Sequence, residues 1–92
     1  MARAWEADPS ASFERRLGKS ARELQNTNGR DGCPEIWQLD NGDIAVIGRD
    51  LTDTYEARLP DGVIIRSDER LVILPGNMLS SAKPDIPDAQ PG

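Results

Sequence analysis

The apolar residues of this chain gather between Ile36 and Leu79, in short runs set apart by turn-forming residues. The clearest pattern brackets Asn41-Gly42, with Ile36-Trp37-Gln38-Leu39 before it and Ile44-Ala45-Val46-Ile47 after it. Two β-prone runs joined by Asn-Gly predict a hairpin, because these residues accept φ > 0 at both central positions of a type I′ turn, whose twist matches the flanking strands. Trp37 and Leu39 then share one face, opposite the Ile44/Val46 strand, and Trp37 is expected to anchor the core. Both faces of the second strand are apolar, and Gly48 closes it.

Helical spacing governs the stretch before the hairpin. Asp8-Pro9 suits a helix start, and Phe13, Leu17, Ala21 and Leu24 follow at helical intervals, with Arg15, Arg16, Lys19 and Arg22 on the opposite side. The pattern predicts one amphipathic helix from Pro9 to Gln25, weakened by about 1 kcal/mol by Gly18 at its middle. The turn-rich residues 26–32 link it to the core.

After the hairpin, Leu51, Tyr55 and Leu59 recur at intervals of four, Asp53 and Glu56 have capping-box spacing, and Pro60-Asp61-Gly62 stops the element. This predicts a short helix, with a strand from Tyr55 to Leu59 as the competing reading. Val63-Ile64-Ile65 reads as a short extended piece. Arg70-Leu71-Val72-Ile73-Leu74 reads as a central strand covered on both faces, ended by Pro75. Met78, Leu79 and Ala82 fit one face of a last short helix, before a Pro- and Asp-rich tail. The expected fold is α+β: a small antiparallel sheet of three to four strands flanked by short helices, with the N-terminal amphipathic helix. The expected division is an N-terminal arm and linker over 1–32, a folded core over 33–83 and a flexible tail over 84–92.

Composition removes several kinds of chemistry. With 92 residues there is one domain at most, and one this small buries only about 60% of its unfolded surface, so a partner or a second copy of the chain would help to hold it. The chain has no histidine, which takes away Ser-His and Cys-His nucleophile pairs. Its single cysteine, Cys33, allows no internal disulfide and no zinc-ligand spacing, and reads as a small structural residue. No cofactor or metal is expected. Asp40-Asn41-Gly42-Asp43 lacks the ligand spacing of a calcium loop, and Asp50, Asp53, Glu56 and Asp61 read as a solvated edge. Neither a secretory signal nor a membrane-spanning run is present in the sequence, which predicts a cytoplasmic protein with no membrane partner.

The net charge of −5 is unevenly spread. Residues 1–32 carry six basic against five acidic side chains, and residues 33–75 carry four against nine. An acidic core argues against nucleic-acid binding there, since such binding rests on cations that displace counterions.

The runs Cys-Pro-Glu-Ile-Trp-Gln-Leu-Asp-Asn-Gly-Asp-Ile-Ala-Val-Ile-Gly-Arg-Asp-Leu-Thr-Asp, Asp-Glu-Arg-Leu-Val-Ile-Leu-Pro and Ser-Ala-Lys-Pro-Asp-Ile-Pro resemble a family of small uncharacterised actinomycete proteins. The resemblance covers residues 33–87 and carries no catalytic residue; genes of that family often lie near helix-turn-helix regulators, which implies a role in transcription regulation. The sequence therefore predicts a non-enzymatic, acidic regulatory or adaptor protein that acts by protein–protein interaction, with a helix-turn-helix regulator as the implied partner and a homodimer as one way to cover the sheet. The residues expected to bind a partner are Arg15, Arg16, Lys19 and Arg22 on the helix, and Asp50, Asp53 and Glu56 on the acidic edge. The alternative is a dimeric DNA-associated transcription factor that uses the basic N-terminal helix. A small enzyme with carboxylates as acid and base is the third reading.

Overall fold

A computed structural model describes residues 5–27 and 34–86 of the chain. Its elements run β1 (Phe13–Arg16), β2 (Glu35–Leu39), β3 (Ile44–Ile47), β4 (Arg49–Asp50), α1 (Thr52–Tyr55) with a 3-10 turn at Glu56–Arg58, β5 (Val72–Ile73), and α2 (Asn77–Ala82) with a 3-10 turn at Lys83–Asp85. β1, β2 and β3 form one antiparallel sheet in that order, and β4 and β5 form a second, two-stranded one. The fold is α+β. Cys33 and residues 87–92 lie outside the described residues.

The expected hairpin forms, with a loop one residue longer. The Leu39 N–H donates to the Asp43 carbonyl at 2.8 Å and the Gly42 N–H donates to the Leu39 carbonyl at 3.0 Å. Asp40-Asn41-Gly42 is therefore a three-residue loop, a type I turn followed by a left-handed glycine, and not a type I′ turn. Gly42 has φ 90°, whereas Gln25 is the one non-glycine residue with positive φ among the described residues. Asn41 instead uses its side chain, its Oδ1 accepting the Asp43 N–H at 2.9 Å. The extra residue shifts the pairing by one, to Ile36 opposite Val46, Trp37 opposite Ala45 and Gln38 opposite Ile44. A slip of one exchanges the faces of a strand, so Ile36 faces the core and Trp37 the other side.

The amphipathic helix expected over residues 9–25 is replaced by a strand and a turn. Phe13–Arg16 adds to the edge of β2, with Phe13 opposite Leu39 and Arg16 opposite Trp37, and a bulge between Phe13 and Arg15. Pairing with β2 supplies backbone bonds and ring contacts, where a thin apolar stripe would leave a lone helix of this length marginal. Gly18 ends the strand at φ 80°, a conformation in which no helix continues. Leu17 and Ala21 remain inside, while Phe13 goes to the opposite face and is 61% exposed.

The core consists of Leu17, Ile36, Met78 and Ala82, with Leu24 and Leu74 packed against it. Residues expected in the arm thus share a core with β2 and α2. Three bonds clasp the two regions: the Gly18 N–H to Asp85 Oδ2, the Lys19 N–H to Ser81 Oγ, and Arg15 Nη2 to the Asp85 carbonyl, each at 2.7 Å.

Helix α1 forms where a helix was expected, and the strand alternative over Tyr55–Leu59 does not. Its Asp53/Glu56 capping box is not made, since no side chain caps the helix. The strand expected over residues 70–74 shrinks to Val72–Ile73, both exposed, and so is not a covered central strand. The ladder stops because Thr52 Oγ1, rather than a backbone carbonyl, accepts the Leu71 N–H at 2.8 Å. No helix among the described residues is long and apolar enough to cross a membrane.

Candidate functional site

The three-stranded sheet packs one face on α2 and leaves the other outward. Phe13 and Arg16 from β1, Glu35 and Trp37 from β2, and Ile47 from β3 meet there, because the bulge in β1 and the three-residue loop bring these positions into phase. The Phe13 and Trp37 rings stand edge-to-face, with centroids 5.7 Å apart and planes at 67°. The Arg16 guanidinium lies 4.7 Å from the Trp37 ring centroid, over its face. Phe13, Glu35, Trp37 and Ile47 line a shallow depression of about 230 Å³.

One carboxylate organises this face. Glu35 Oε1 accepts the indole N–H of Trp37 at 2.8 Å and the Arg16 Nε and Nη2 donors at 3.0 and 2.8 Å. The Glu35 side chain is only 14% exposed. Burial alone would raise its pKa, but the Trp37 and Arg16 hydrogen bonds, the Arg16 charge and the Ala21 backbone N–H together outweigh it and hold the carboxyl below its ordinary value. Arg16 and Glu35 thus satisfy each other on this face, and the apolar residues beside them are exposed: Phe13 by 61% and Ile47 by 50%.

The seven residues expected to bind a partner are dispersed. Arg16 belongs to this face, whereas Arg15 reaches to the opposite side, where it bonds the Asp85 carbonyl. Lys19 and Arg22 are exposed in the loop and turn that follow β1. The four cations thus form no common face, because the helix that would have aligned them does not form. Asp50 and Asp53 do come together, lining a depression of about 370 Å³ with Arg70, whose Nε lies 3.9 Å from Asp50 Oδ2. Asp50 serves the backbone: its Oδ1 accepts the Thr52 Oγ1–H at 2.7 Å and the Thr52 N–H at 3.0 Å, and these bonds lower its pKa. Glu56 is exposed on the 3-10 turn after α1.

Sequence reasoning missed Phe13, Glu35 and Ile47 as site residues, and placed Trp37 in the core. The signal was present in Asp40, which with Asn41 and Gly42 makes a three-residue loop and so the other register. Among the described residues no group of three or more acidic or thiol side chains is placed to hold a metal ion. The arrangement can offer a rigid, aromatic, apolar platform with a neutralised ion pair at its centre. No protein-family model, curated protein or solved structure matches the chain.

Proposed function

We propose that this chain is a non-enzymatic adaptor that acts by binding another protein through the outward face of its three-stranded sheet. One observation carries the reading: Phe13, Trp37 and Ile47 form an apolar face on which the charged pair Arg16–Glu35 is satisfied within the chain. Aromatic side chains beside an arginine, held in place by their neighbours, are the residues that dominate protein interfaces. The resemblance to small actinomycete proteins supports a helix-turn-helix regulator as the partner, and the surplus of acidic residues over 33–75 suits the basic surface of such a regulator.

The test is calorimetric titration of the chain into purified helix-turn-helix regulators from the same genome. Saturable binding that Phe13→Ser and Ile47→Ser each weaken by about tenfold or more supports the reading, since exposed anchors of an interface are lost without loss of fold. Binding that neither substitution affects would remove this face from the account, and an absence of binding at about 100 µM would remove the regulator.

A further inference from the structure

Strand β3 ends the three-stranded sheet, and its sequence Ile-Ala-Val-Ile contains none of the charges, prolines or bulges that usually blunt an exposed edge. The phase of its backbone follows from the hairpin. Leu39 bonds to Asp43, so residues 43, 45 and 47 direct their backbone groups toward β2, and residues 44 and 46 direct theirs away. Among the described residues the outward N–H and C=O groups of Ile44 and Val46, and those of Gly48 beyond them, have no backbone partner. Ile44 is 53% and Val46 41% exposed, so nothing among the described residues covers this edge.

We infer that the occupant of this edge is a second copy of the chain, whose β3 pairs antiparallel with the first across a two-fold axis at Val46. Only outward residues can exchange bonds across such an edge, and centring on Val46 joins Val46 to its own copy and Ile44 to Gly48 of the copy, twice. Charge complementarity selects this register. It places Asp43 of each chain directly opposite Arg49 of the other, and the Arg49 side chain makes no hydrogen bond or ion pair among the described residues. The result is a continuous six-stranded sheet with the two Trp37 faces side by side. This rests on the edge of the sheet and not on its outward face, so it stands or falls apart from the adaptor reading.

The experiment is sedimentation equilibrium of the full chain and of three variants: Asp43→Arg, Arg49→Asp, and the two together. The wild type is expected to sediment at twice its 10.1 kDa. Each single exchange faces like charges twice across the axis and should raise the dimer Kd by about tenfold or more, and the double exchange, which restores both pairs, should return it to within about threefold. In a Cys33→Ser background, Val46→Cys should form an intermolecular disulfide on mild oxidation, since two residues facing each other in such a pair have Cα atoms about 5.5 Å apart. Ile64→Cys, 69% exposed but off the edge, should not. A wild type that is monomeric at about 200 µM, or a dimer whose Kd the single exchanges leave unchanged, overturns the inference.

Discussion

Trp37 donates its indole N–H to Glu35 Oε1 at 2.8 Å, across two residues of the same strand. Residues two apart on a strand share a face, so this bond fixes a tryptophan and a carboxylate together on the outward side, while Ile36 between them points into the core. Arg16 completes the unit from the neighbouring strand by stacking on the ring and bonding the carboxylate.

Glu35 should make the chain sensitive to acid. Its folded pKa lies below the ordinary 4.5, so its contribution is fully present above about that value and is lost as pH falls through the lower folded value. Glu35→Gln removes the titration and weakens the charge-assisted bonds, costing about 1–2 kcal/mol near neutral pH. Urea denaturation between pH 7 and 3 is expected to show the variant with the flatter profile. Parallel profiles would mean that Glu35 titrates alike in both states.

Ile36 is 5% exposed and Ile47 50%, although both are isoleucines on adjacent strands of one hairpin. Ile36→Ala should therefore cost about 2–5 kcal/mol, and Ile47→Ala less than about 1 kcal/mol. Thermal melts followed by circular dichroism measure the difference. Equal losses would contradict the register.

Gly18 and Gly76 should respond to alanine in opposite directions. At Gly18, φ is 80° and a Cβ would fall 2.8 Å from the backbone of Ser81 and Ala82, so Gly18→Ala should cost about 2 kcal/mol or more. At Gly76, φ is −61° and a Cβ would meet no atom of the described residues within 4 Å, so Gly76→Ala should stabilise by about 0.4–1 kcal/mol. Chemical denaturation of the two variants reads both signs.

Gly42→Val should destabilise by more than about 1 kcal/mol, because a β-branched residue resists φ 90° even where space is open. Gly42→Asn should cost less, since asparagine tolerates the left-handed region. Equal melting temperatures for the two would show that the loop had rearranged.

The sequence by itself determined the elements whose causes are local. The hairpin around Asn41-Gly42 follows from turn chemistry, and the spacing within a few residues favoured the short helix after Leu51 over a strand and gave the last helix, which buries Met78 and Ala82 but leaves Leu79, expected on the same face, 65% exposed. The sequence also placed Leu17 and Ala21 on a buried side, although as parts of a helix. What only the tertiary structure decided depends on pairing between distant segments. Whether residues 13–16 are helix or strand was settled by the free edge of β2 and by the clasp of Gly18 and Lys19 to residues 81–85, neither of which is visible in a local pattern. Loop length then decided which of Ile36 and Trp37 enters the core, because alternation along a strand says only that the two point apart. The same alternation left the outward face unread: Phe13, Glu35, Trp37 and Ile47 come together across three strands, and their shared phase exists only once the bulge in β1 and the three-residue loop are formed.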